Sequence, residues 1–165
     1  MFNKNHFENL IGRVILILGT HSQAAVNLLL GTAAVESCFG RNLRQLGGGP
    51  ARGVFQIEPA TEKDIWDNFL RYNAALRNKM IEITGIAELN LLALEGNLIY
   101  QICMARLQYY KVAEPLPGPD DIEGLAKYYK VYFNTLKGKA TMKGFISKYR
   151  LYVLKEKNII KLKYN

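Results

Sequence analysis

Apolar positions in this chain recur at spacings of three and four, and no strictly alternating run of useful length occurs. That pattern predicts a nearly all-α fold, with any strand confined to the glycine-rich region. A first helix is predicted over about Glu8 to Leu18. A second has Ser22 as its N-cap and runs to Glu36, with Gly40 as terminator. Its apolar residues, from Ala25 to Val35, cover most of the circumference, so it should be the buried central helix. Gly53 to Ile57 reads as a short extended segment. Thr61 is placed to cap a third helix to Leu70, carrying Ile65, Trp66 and Phe69, and a fourth covers Ala74 to Ile83. Asn90 or Leu91 begins one long helix to Tyr110, with Leu91, Leu94, Leu98, Ile102 and Ala105 on one face. Asp120 is placed to cap a helix to Phe133, with Glu123 in a capping box. Thr141 caps a last helix to Lys157. Breaks fall at Gly47-Gly48-Gly49-Pro50 and at Pro115-Leu116-Pro117-Gly118-Pro119.

With 165 residues, 49% of them hydrophobic, the chain suits one domain over 1–165 with a real core. No apolar stretch reaches the length of a membrane span, and the first residues do not read as a signal peptide. The expectation is synthesis in the cytoplasm of a host cell. Two cysteines, Cys38 and Cys103, give no disulfide framework, and two histidines make zinc improbable. Cys38, two residues after Glu36, is a candidate nucleophile or a small buried apolar residue. The net charge of +8 is confined to 136–165, which holds nine Lys or Arg and one Glu. That segment suits an anionic polymer of a cell wall or membrane, or is a solvated lysine-rich face. No signature of specific nucleic-acid recognition is present.

Glu36 carries the sharpest chemical signal. A carboxyl at the end of an apolar helix is disfavoured in its charged form by burial and by the negative end of the helix dipole. It is thereby suited to act as a general acid. The plainer alternative is a solvated residue, or one paired with Arg41 or Arg44. About twenty residues on, Gly53-Val54-Phe55-Gln56-Ile57-Glu58-Pro59-Ala60-Thr61 brings an amide and apolar walls of the kind a saccharide cleft needs. Phe55 and Gln56 are equally readable as a core ring and a satisfied neighbouring amide.

Ala34-Val35-Glu36-Ser37 followed by that block resembles the soluble lytic transglycosylase and goose-type lysozyme group of the lysozyme-like superfamily. The likeness extends to a phage-encoded branch through Leu30 to Ser37, Gln45-Leu46-Gly47-Gly48-Gly49-Pro50-Ala51, Asp64 to Asn68 and Tyr132-Phe133-Asn134-Thr135. It spans about 22–146. The resemblance implies a muramidase that cleaves the β-1,4 bond between N-acetylmuramic acid and N-acetylglucosamine in peptidoglycan, with Glu36 as the acid and neither metal nor cofactor. Ring closure by the sugar's own 6-hydroxyl and attack by water are both compatible with it. It implies that Gln56 and Phe55 line the groove and that Ser37 lies beside the carboxyl. It also implies a bacteriophage lytic enzyme, delivered through a pore or in the virion. The alternative is a catalytically inactive wall-binding or virion structural module of the same fold.

Two positions depart from the family pattern. Many relatives carry Tyr-Asn where this chain has Phe133-Asn134; Tyr132, one residue earlier, would point about 100° away around a helix, and Tyr128, one turn before it, is another candidate to reach Glu36. Glu58 stands where an apolar residue is common. It is a candidate second carboxylate, which an inverting hydrolase needs about 6.5–9.5 Å from the acid; it is equally a groove residue or an N-terminal helix charge. The pairs Tyr109-Tyr110, Tyr128-Tyr129 and Tyr132-Phe133 suit sugar stacking or helix packing.

Overall fold

A computed structural model describes residues 1–134 and 139–155. These are mostly helical, with almost no strand. In chain order the helices are α1 (Lys4–Ile17), α2 (Gln23–Ser37), α3 (Pro59–Asp64), α4 (Ala74–Thr84), α5 (Leu91–Gly96), α6 (Leu98–Tyr110), α7 (Ile122–Tyr132) and α8 (Met142–Tyr152). A π-type turn, Ile65–Phe69, and a 3-10 turn, Leu70–Tyr72, join α3 to α4.

Helix α2 is the central element. Ser22 accepts a hydrogen bond from the Ala25 amide and caps its start, as the sequence predicts. Leu28, Leu29, Leu30, Ala33 and Ala34 are all buried. The tightest contact is with α8: a Cβ on Gly31 would stand 2.1 Å from the Phe145 ring. Only a residue without a side chain lets the two helices approach so closely. From α6, Tyr109 reaches Thr32 at 2.7 Å. The Thr32 hydroxyl gives its own proton to the Leu28 carbonyl, so Tyr109 is the donor in this pair.

Several boundaries differ from the sequence reading. Helix α1 begins one turn earlier, because the Asn3 side chain accepts from the Asn5 and His6 amides. Helix α3 starts at Pro59, whose ring presets the first helical φ, and Thr61 lies inside the helix. The single long helix predicted over 91–110 is two. Asn97 is extended (φ −98°, ψ 101°) and its side chain caps α6 through the Tyr100 amide. Asp121, not Asp120, caps α7 through the Gly124 amide, which removes the expected capping box. Helix α8, capped by Thr141, ends at Tyr152. Residues 153–155 are not helical, and 136–138 and 156–165 of the basic segment, with the expected helix end at Lys157, lie outside the described residues.

Gly53 to Gln56 is a turn, not an extended segment. Arg52 and Ile57 pair across it by two backbone hydrogen bonds of 2.9 Å. Gly53 has φ +74° and Gln56 has φ +48°. A Cβ on Gly53 would meet the Leu94 carbonyl at 2.4 Å and Gln101 Oε1 at 2.5 Å. Buried Gln101 holds this turn against α6: its Oε1 accepts from the Val54 amide and its Nε2 donates to the Glu95 carbonyl.

Candidate active site

The end of α2 is sharply defined. Cys38, Phe39 and Gly40 all adopt left-handed backbone conformations, with φ of +51°, +57° and +74°. Two of these are not glycine, at a cost of roughly 1–2 kcal/mol each. Neighbouring bonds hold the arrangement: Ser37 Oγ accepts from the Gly40 amide at 2.8 Å and donates to the Ala33 carbonyl at 3.2 Å. The Phe39 ring is buried against Phe7 and Tyr152. Chain reversal here leaves Glu36 in the last turn of α2, on the wall of a groove of about 840 Å³.

The Glu36 side chain is only partly accessible. Burial pushes its carboxyl above the ordinary value of 4.5; a hydrogen bond from Tyr129 and the charge of Lys148 pull it part of the way back. The Tyr129 hydroxyl donates to Glu36 Oε1 at 2.5 Å. That hydroxyl is itself held well above the usual tyrosine range by burial and by the adjacent carboxyl. It therefore stays protonated and remains a donor. The Tyr129 ring packs between Phe145 and Phe133, and the Asn134 side chain hydrogen-bonds its hydroxyl.

Glu36, Gln56, Glu58 and Asn134 line the same groove, together with Asn42, Gln108 and Phe133. Gln56 Nε2 donates to the Gly53 and Asn42 carbonyls at 2.8 and 3.3 Å. Its two N–H bonds are thus used inward, leaving the amide oxygen to meet a ligand. Glu58 is exposed at the N-cap position of α3 and makes no capping bond. The lip carrying Gln45 and Leu46 is folded on itself: the Gln45 side chain fills the space beside Gly49 and accepts from the Ala51 amide.

Four residues expected at the groove are elsewhere. Phe55 is fully buried against Phe7, because the turn from Gly53 aims its ring into the core. Ser37 is also fully buried and spends its hydroxyl on the helix end, without touching the carboxyl. Tyr128 points away, donating to the Glu114 carbonyl, and Tyr132 packs on Tyr128 at 4.6 Å between ring centroids. The alternative pairing of Glu36 with Arg44 does not form: Arg44 bonds Glu95 at 3.0 Å. Cys38 contacts Lys148 Nζ at 3.3 Å. Cys103 is buried in the core, which pushes its thiol up to about 12.

Tyr129, named from sequence only as a stacking or packing ring, was not foreseen as the partner of Glu36; it lies one helical turn before Phe133 and so on the same face of α7. That spacing was the available signal. The sequence reading missed Gln108. This residue donates to the Tyr132 carbonyl at 3.2 Å, while its own amide oxygen is buried without a partner.

Among the described residues, no three His, Cys, Asp or Glu side chains are grouped to hold a metal ion. None of the described helices is long and apolar enough to cross a membrane. Compared with known proteins, the chain matches no family model, no curated protein and no solved structure. Fold and site together define a helical protein whose groove presents one carboxyl tuned toward its protonated form. Amides stand around it.

Proposed function

We propose that this chain is a peptidoglycan-cleaving muramidase of the lysozyme-like superfamily, with Glu36 as general acid and a phage lytic enzyme as its biological setting. The observation that carries the reading is Glu36 itself: a half-buried carboxyl, raised above its ordinary value, on the wall of a sugar-sized groove. Protonation of a glycosidic oxygen needs such an acid. Gln56 and Asn134 supply amides for hydroxyl and acetamido groups, and Phe133 supplies an apolar wall.

The acid gives its proton to the leaving oxygen between the two sugars. The resulting carboxylate is then held by the Tyr129 hydroxyl. Either the 6-hydroxyl of the muramic residue or a water closes the reaction, with Glu36 taking back a proton. The family's Tyr at the position of Phe133 is replaced functionally by Tyr129, one turn earlier, which supports a catalytic site over an inactive wall-binding module. Basic residues after 136 would hold the protein on anionic wall polymers.

The test is digestion of purified peptidoglycan, followed by mass spectrometry of the released muropeptides. Release by the unsubstituted chain and its loss in Glu36→Gln are expected. Equal release by that variant defeats the reading. Reducing and anhydro ends differ in mass by one water, which separates hydrolysis from ring closure.

A further inference from the structure

Helix α8 brings an ammonium group to the end of α2. Lys148 Nζ donates to the Val35 carbonyl at 3.0 Å, across 113 positions of sequence, and to Cys38 Sγ at 3.3 Å. Val35 immediately precedes Glu36. Its carbonyl belongs to the last turn of α2, where carbonyls have no partner within the helix. Two other carbonyls of this end have backbone partners: that of Ala33 accepts from the Phe39 amide, and that of Ser37 from the Arg41 amide. Lys148 thus satisfies a carbonyl at the turn that bears the acid. A cation there also offsets the negative end of the helix dipole.

We infer that Lys148 is a positioning residue for Glu36: it clamps the turn carrying the acid, and its nearby charge favours the carboxylate that remains once the proton has left. The inference rests on the muramidase reading for its catalytic meaning. Lys148 makes no direct ion pair with Glu36 among the described residues; its charge acts from the adjacent carbonyl. The titratable groups acting on Glu36 are Tyr129 from α7 and Lys148 from α8, while Tyr109 of α6 senses its charge. Glu58 and Lys139 stand on the groove, and no group of α1 acts on it. A positive charge beside a carboxyl favours its ionised form, so Lys148 opposes burial. Too little opposition leaves an acid that holds its proton past the point of use.

The experiment is the carboxyl titration of Glu36, read by carbon NMR on glutamate-labelled protein and assigned by its absence in Glu36→Gln. Lys148→Gln keeps an N–H donor and removes the charge. In that variant the Glu36 midpoint and the alkaline limb of muropeptide release should both move to higher pH. Turnover should fall, though by less than the roughly 10²–10⁴-fold expected for loss of the acid. Lys148→Arg should restore both midpoints. A Glu36 midpoint unmoved in folded Lys148→Gln overturns the inference, whatever its rate. Should the Gln variant not fold, the Arg variant decides alone, and a midpoint raised despite the retained charge overturns it. Absence of release by the unsubstituted chain would instead sink the muramidase reading, with the titration still readable.

Discussion

The Tyr129 hydroxyl lies 2.5 Å from Glu36 Oε1, and 93 positions of sequence separate the two residues. Helix α7 exists, in this sense, to aim one phenol at the end of α2. The bond fixes the carboxyl's orientation and favours its ionised form. Tyr129→Phe removes the bond and keeps the ring that packs on Phe145 and Phe133. A hydrogen bond to a charged group contributes about 1.5 kcal/mol, and each 1.36 kcal/mol is about tenfold in rate. The variant should therefore digest peptidoglycan roughly tenfold more slowly. The alkaline limb of its activity should move up. Rates and pH profiles of released muropeptides check both expectations.

Glu36 also contributes to how stability depends on pH. Its carboxyl titrates higher in the folded protein than the ordinary 4.5, chiefly through burial. The folded state therefore binds more protons than the unfolded state between the two values. Stability falls as pH rises through that window. Glu36→Gln removes this loss. Its melting temperature should match that of the parent below the ordinary carboxylate range, exceed it increasingly as pH rises above 4.5, and then hold a constant difference. Calorimetry across pH measures the gap directly. A constant gap at all pH values would contradict the buried, proton-retaining acid.

Most of the helices, and a carboxyl at the end of α2, were legible because they rest on local pattern. Periodicity placed α2, and the position of Glu36 after an apolar run placed the carboxyl. Gln56 and Glu58 were reached through the resemblance, and both line the groove with Glu36. Residues set by tertiary geometry were not legible. Phe55 and Gln56 are adjacent, yet one is core and the other groove, because left-handed conformations at Gly53 and Gln56 turn the backbone between them. The break at Asn97 competes with an apolar spacing that runs straight through it. Lys148 looked like one more residue of a basic tail; only the approach of α8 to Gly31 brings its ammonium to Val35.

That approach depends on Gly31. A methyl group there would stand 2.1 Å from Phe145, far inside contact distance. Phe145 also supports the Tyr129 ring at 5.2 Å. Gly31→Ala gains helix propensity, worth about 1 kcal/mol, and loses more by overpacking, typically about 1–3 kcal/mol. A net loss of stability is expected from denaturant unfolding. Phe145→Leu alone should also destabilise. Combined with Gly31→Ala it should cost less than the sum, because the smaller side chain leaves room for the methyl.

Glu58 tests whether the reaction uses one carboxylate or two. It stands on the groove, exposed, at the N-cap position before Pro59, and caps nothing. A residue in that setting is well hydrated and free to serve as a charge at the start of α3. A base that activates water would have to hold that water against the far face of the sugar. The expectation is that Glu58→Gln releases muropeptides within about tenfold of the parent rate, against the roughly 10²–10⁴-fold loss expected for the acid itself in Glu36→Gln. Its products should carry the same ends as those of the parent. A loss as deep as that of Glu36→Gln, with reducing ends in the parent digest, would instead make Glu58 the base of an inverting hydrolase.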